Sequence, residues 1–261
     1  MFSTNERCQY KANQLADVIC QLRFPEILSI GTTIPAQFQE LIRADYPQYS
    51  ARKEAPAPKL KGTPGGFSIE NQPETINYQF TSYDGKWRIN LTSNFISLAC
   101  TAYTCWEDFA AHLDKPLAAF IKIYKPAYFE RIGLRYINLI SRKRLNLEST
   151  SYADLFQPCY LGPLSEDDVP ENTVTRSNIN IEMAIRGGCH VKITAGPAVI
   201  KNNTSQQTEP CFAFDQDLYM KGNVPVNMSA GALHTLHSQA FPIFRGAITD
   251  QLHEALDPYP I

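Results

Sequence analysis

Long apolar runs are missing from this 261-residue chain, and without a stretch of about eighteen apolar residues it has no ordinary membrane-spanning helix. Residues Met1 to Tyr10 are polar and lack the apolar region of a secretory signal, so the expected setting is cytoplasmic. An excess of one charge is also missing. The 24 Lys and Arg against 26 Asp and Glu leave a net charge of −2, which argues against a nucleic-acid binder that uses its whole surface. The seven cysteines are odd in number, no two have C-x-x-C spacing, and no clustered zinc ligands accompany them. All seven read as buried free thiols of a reducing compartment, and Cys20, Cys100 and Cys211 lie in apolar strand-like runs. Phosphate cradles are absent too. Gly187-Gly188 precedes no helix, Pro64-Gly65-Gly66 lacks the trailing Lys-Ser/Thr of a P-loop, and no Gly-x-Ser-x-Gly elbow occurs. No cofactor is implied.

What the chain does have is aromatic mass: 13 Tyr, 14 Phe and 2 Trp demand a substantial core. The run 15–24 alternates as a strand, with Val18, Cys20, Leu22 and Phe24 on one face. A helix follows Pro35, carrying Phe38, Leu41, Ile42 and Tyr46 at helical spacing. Residues 47–66, rich in Pro, Lys, Ala and Gly, read as a loop. Alternation on both sides of Asp84-Gly85 predicts a hairpin, and 95–103 a third strand. Thr104-x-x-Glu107 has capping-box spacing before an amphipathic run from Trp106 to Tyr124. Further strands are predicted at 129–140, 179–186, 189–193 and 211–220, with a short helical turn near 152–157. The C-terminal helical region carries Pro242, which predicts a kink or break there.

This order divides into two parts, 1–128 and 129–261, joined as one compact unit. The expected fold is α+β: two similar β-α-β(3)-α halves, each a curved antiparallel sheet packed on a long helix. Cys20, Leu22 and Phe24 align with Ile132, Leu134 and Tyr136, which sets Arg23 against Arg135.

The strongest polar constellation lies on strands. Arg131 and Arg135 share a face with Gly133 between them, and Arg23 joins that face if the halves are equivalent. Asp215 and Asp217 share a face of another strand. Guanidinium and carboxylate groups on neighbouring strands form bidentate pairs, either as cross-strand ion pairs or as the floor of a binding surface. Asp215-x-Asp217 also suits a hard cation or an acid/base pair, but no third ligand is in view. His234 and His237 lack an accompanying Glu-x-x-His and read as surface or boundary residues. Cys189 and His190, being adjacent on a strand, point to opposite faces. The basic runs at Lys59–Lys61 and at Arg142, Lys143 and Arg144 read first as solvated loops and alternatively as nucleic-acid contacts.

Several stretches together are familiar: CQLRFP at 20–25, TIPAQFQELIRADYP at 33–47, YQFTSYDGKWRINLTSNFISL at 78–98, ERIGLRYIN at 130–138, FDQD at 214–217 and AITDQLHEAL at 247–256. They resemble a sporadically distributed family of uncharacterised prokaryotic proteins of about this length, over nearly the whole chain. The resemblance implies no specific activity. The family's patchy distribution implies an accessory role, such as bacterial defence or toxin–antitoxin function.

No complete catalytic constellation is present. The expected function is therefore non-catalytic binding of a small ligand or a protein partner, with Arg23, Arg131, Arg135, Asp215 and Asp217 lining the site. A metal-assisted hydrolase at Asp215 and Asp217 and a nucleic-acid binder at Arg142–Arg144 are the alternatives. No membrane partner is expected, and a homodimer is compatible with the sequence.

Overall fold

The computed structural model describes residues 2–54, 59–63, 66–70, 74–201 and 207–260, with 59–63 and 66–70 described by backbone alone. Strand β1 (Cys8–Tyr10) leads into β2 (Leu15–Arg23), helices α1 (Leu28–Thr32) and α2 (Ala36–Ile42), and strands β3 (Gln48–Glu54), β4 (Lys59–Thr63), β5 (Gly66–Glu70), β6 (Thr75–Thr81), β7 (Trp87–Leu91) and β8 (Phe95–Cys100). Then come α3 (Trp106–Tyr124), β9 (Phe129–Ile140) and the single turn α4 (Tyr152–Leu155). The chain closes with β10 (Ile179–Ala184), β11 (His190–Lys201), β12 (Thr208–Val224), α5 (Ser229–Ala247), α6 (Asp250–Ala255) and β13 (Pro258–Pro260).

The fold is mixed α+β, built on one antiparallel sheet of nine strands in the order β10-β11-β12-β9-β2-β8-β7-β6-β3. The two separate sheets expected from the sequence are instead continuous. They join where β2 pairs antiparallel with β9, with Cys20 opposite Leu134 and Arg23 opposite Arg131. Alternation explains why. Val18, Cys20 and Leu22 on β2 and Ile132 and Leu134 on β9 are fully buried on one face, so both strands need neighbours on each side. Helices α3 and α5 cover that face: Phe24 meets Phe120 at 4.7 Å, Trp87 meets Phe109 at 5.8 Å and Phe214 meets Phe244 at 5.9 Å between ring centroids. Fully burying one such ring contributes roughly 1.5–3 kcal/mol. Among the described residues no helix is long and apolar enough to cross a membrane.

Four local expectations are corrected. Residues 47–66 are not one loop, because β3 pairs along β6 and β4 pairs with β5. Every β3 side chain is exposed at the sheet edge, so no apolar alternation marks it. The capping box does not form. Cys105 is the N-cap of α3 without a side-chain cap, and Thr104 Oγ1 donates to Asp108 at 3.3 Å. Pro242 does not break α5; the chain turns at Ile248, and Thr249 caps α6 through Leu252 N. The cysteines are all free, but Cys159 is exposed and Cys8 and Cys105 are half-buried.

Pro116 lies inside α3 and lacks the amide that would donate to His112 O. The buried Tyr46 hydroxyl donates there instead, at 2.9 Å, which fastens α3 to the segment after α2.

Candidate functional site

The face of the sheet away from the helices carries the residues singled out from the sequence. Arg131, Arg135, Asp215 and Asp217 come together there on β9 and β12, with Asp217 opposite Arg135 and Asp215 opposite Ile137. Arg135 grips Asp215 through Nε at 2.8 Å and Nη2 at 2.5 Å. That bond holds the Arg135 guanidinium above its ordinary pKa. Arg131 uses Nη2 alone, 2.7 Å from both oxygens of Asp217, so only one of the two pairs is the expected fork. Arg131 lies flat over Gly133, where a Cβ would fall 2.2 Å from its Nη1, and its Cζ is 4.7 Å from the centre of the Tyr219 ring. His190 also stacks on Tyr219, with centroids 5.2 Å apart, and the Tyr219 hydroxyl donates to Glu182. Arg23 is exposed beside Arg131 and makes no ion pair among the described residues. A polar ladder continues across the same face, from Ser97 to Asn90 at 3.2 Å and from Asn90 to Gln79 at 3.1 Å.

These carboxylates are engaged. Among the described residues no three His, Cys, Asp or Glu side chains come close enough to hold a metal ion. The basic run after β9 is also largely engaged. Arg142 donates to Thr150 O at 2.6 Å and Glu171 at 2.8 Å and covers the Tyr152 ring, and Arg144 pairs with Glu209 at 3.2 Å. Lys143 is exposed. The Lys59 and Lys61 side chains, and Pro64 and Gly65, lie outside the described residues.

The opposite face holds a cavity that the sequence did not announce. It lies between the start of α3 and the middle of α5, over β9 and β12, is half open to solvent, and has a volume of about 120 Å³. The N-terminal segment forms its rim, held by the ribbon of β1 and β13 and by Ser3 N donating to Pro242 O at 2.8 Å. A chain of polar groups runs along the wall. Arg7 Nη2 donates to His237 Nε2; since a guanidinium only donates, the His237 proton sits on Nδ1 and faces the Tyr136 hydroxyl at 2.8 Å. Tyr103 meets the Tyr136 ring edge-on, with centroids 5.9 Å apart. His237 also stacks on Trp106, with centroids 4.5 Å apart. Burial and the Arg7 charge push His237 down to about 3. Burial drives Tyr136 far above its ordinary value and raises the Cys8 thiol.

Directly across the strands from Tyr136 stands Gln216, a residue of the cavity wall that is 3% exposed and whose buried Oε1 has no hydrogen-bond partner among the described residues. Its neighbours on that face, Phe214 and Leu218, are fully buried. Reading FDQD for its two aspartates passed over the glutamine between them, which strand alternation points the other way. Of the two histidines expected at the surface or its boundary, His234 is exposed while His237 is buried, 5% exposed. The signal for it was its place on the apolar stripe with Leu233, Leu236 and Ala240. Arg7 and Tyr103 carried no sequence signal.

No protein-family model matches the chain, and no curated protein is similar to it.

Proposed function

We propose that this chain is a non-catalytic binding protein whose small ligand occupies the cavity under α3 and α5. The observation that carries the reading is the half-open cavity of about 120 Å³, whose wall combines the aromatic rings of Tyr103, Trp106, Tyr136, Phe241 and Phe244 with a few polar groups, the lining that small-ligand sites share. The titrating groups around it argue against acid/base catalysis. A general base works best near the ambient pH, whereas His237 lies at about 3 and Tyr136 far above 10. A metal-assisted hydrolase at Asp215 and Asp217 has less support, since both carboxylates are bound by guanidinium groups.

We also infer that the sheet derives from a repeated unit. Outward from the β2–β9 seam the strands run β2-β8-β7-β6 on one side and β9-β12-β11-β10 on the other, each in the same sequence order. Each side ends in a 19-residue helix, α3 or α5, and the cavity lies where these helices meet. The family resemblance would make such a binder an accessory component of a defence or toxin–antitoxin system.

Native mass spectrometry of the protein isolated from its own host tests the reading. The expected result is a retained small-molecule mass that disappears when Thr104→Trp blocks the cavity rim. A bare wild-type protein, or a mass that survives the blocking substitution, removes the reading.

A further inference from the structure

The two edges of the nine-stranded sheet differ in what a second copy of the chain would meet there. Strand β3 closes one end and β10 the other, and no described strand pairs with the outer side of either. β3 lacks two common guards against further pairing. Neither Pro nor Gly interrupts QYSARKE, and its ladder with β6 runs without a bulge.

Antiparallel strands bond to a given neighbour through alternate residues. Ser82 N donates to Trp87 O at 2.9 Å, so the even-numbered positions of β6 bond toward β7 and the odd-numbered ones toward β3. The β3 partners of those odd positions are Gln48, Ser50, Arg52 and Glu54. Thr75 Oγ1, which donates to Glu54 O at 3.5 Å, agrees with this direction. The N–H and C=O groups of Tyr49, Ala51 and Lys53 therefore point outward from the sheet.

A two-fold axis through Ala51 engages all three of these residues: Ala51 faces Ala51, and Tyr49 faces Lys53 on both sides of it. Each facing pair then exchanges two backbone hydrogen bonds. Moving the axis to Ser50 sets Lys53 against Pro47, which has no N–H, and moving it to Arg52 sets two arginines face to face. The side chains fit the Ala51 register as well. Gln48 falls opposite Glu54 and Ser50 opposite Arg52, so no like charges meet directly across the pair. Tyr49 rests against Phe80 with ring centroids 5.6 Å apart, and its remaining 43% exposure lies open to the Lys53 ammonium of a second copy.

Strand β10 is built the opposite way. Ile185 N donates to Cys189 O at 2.8 Å, which turns the backbone groups of Asn180, Glu182 and Ala184 outward. The two-fold register that engages these three places Glu182 against Glu182.

We propose that β3 is a self-association surface, through which two copies of this chain pair antiparallel about Ala51 and continue their sheets as one. Strands β2, β8, β7 and β6 stand between β9 and β3, so each copy keeps its own cavity and the proposal is independent of the binding reading. Seven paired residues make a small interface, so the dimer is reversible, with a dissociation constant roughly in the micromolar range.

The test is sedimentation velocity of the full chain from about 1 to about 200 µM, where wild type is expected to pass from monomer to dimer. Ala51→Pro removes an outward N–H and leaves the β6 ladder intact, so it should weaken the dimer roughly tenfold or more. Asn180→Pro makes the same change on β10 and should leave the dimer unchanged. Tyr49→Lys sets two lysines face to face and should also weaken it; adding Lys53→Glu turns each such pair into Lys against Glu and should restore it. The Tyr49 variants read the register even where Ala51→Pro fails to fold, as circular dichroism shows. The proposal is overturned by a wild type that stays monomeric throughout, by assembly beyond the dimer, or by a dimer that survives Ala51→Pro and Tyr49→Lys. A dimer that Asn180→Pro dissolves, or a double variant no tighter than Tyr49→Lys, overturns it equally.

Discussion

Lowering the pH from about 7.5 to about 5 is expected to destabilise the protein by roughly 2 kcal/mol through His237 alone. The ordinary histidine value of 6.5 is displaced to about 3 in the fold, by burial and by the charges of Arg7 and His234. Between those values the unfolded chain binds a proton that the folded chain refuses. Stability from this group is complete above about 6.5 and is lost as the pH falls toward 3. The groups facing the imidazole are Arg7, the Tyr136 hydroxyl and the Trp106 ring. None of them is a carboxylate that would stabilise the imidazolium. For a chain of this size the loss corresponds to a melting temperature lower by about 4–8 °C at pH 5. His237→Gln retains an acceptor for Arg7 and a donor for Tyr136 but cannot titrate, so its melting temperature should fall less over the same interval. Equal falls in the two proteins would mean that His237 titrates normally.

Arg142→Ala is expected to destabilise by about 2–3 kcal/mol. The guanidinium joins three parts of one loop: Thr150 O, the Glu171 carboxylate and the Tyr152 ring 4.1 Å from Cζ. The other oxygen of Glu171 accepts from Tyr152 N, so removing Arg142 leaves a partly buried carboxylate holding the loop by a single bond. Lys143→Ala, at an exposed neighbour, should change stability by less than about 0.5 kcal/mol. Denaturant melts of the two variants distinguish the structural role from a nucleic-acid role. If the run served as a nucleic-acid contact, both variants would melt like wild type and both would lose salt-dependent binding to single-stranded DNA.

Strand β9 shows how much the sequence could reveal. Its period of two fixes which residues face the helices, and its bounds, 129–140, follow from the pattern. The grouping of Arg131, Arg135, Asp215 and Asp217 was legible for the same reason. Which arginine takes which aspartate was not, because that depends on a register set by contacts 80 or more residues apart. Strand β3 was illegible because an edge strand with every side chain in solvent has no apolar face to announce it. The cavity was illegible for another reason. Arg7, Tyr103, Tyr136, Gln216 and His237 come from five separate segments, each an unremarkable residue where it stands. Only the closed fold brings them together.

The strand order also sets a timetable for folding. Until residues 129–140 are available, β2 has β8 on one side and an unpaired edge on the other, so an early half-sheet offers that edge to any other chain. The local β6-β7-β8 and β10-β11-β12 meanders close few residues and can form first, whereas the seam waits for strands far apart in sequence. Last comes the ribbon of β1 and β13, where Tyr259 meets Gln9 across 250 residues. That ribbon forms part of the cavity rim. The rim is therefore expected to close after the sheet in folding and to open before it in local unfolding, so amides of residues 8–10 should exchange with solvent faster than those of β2 and β9.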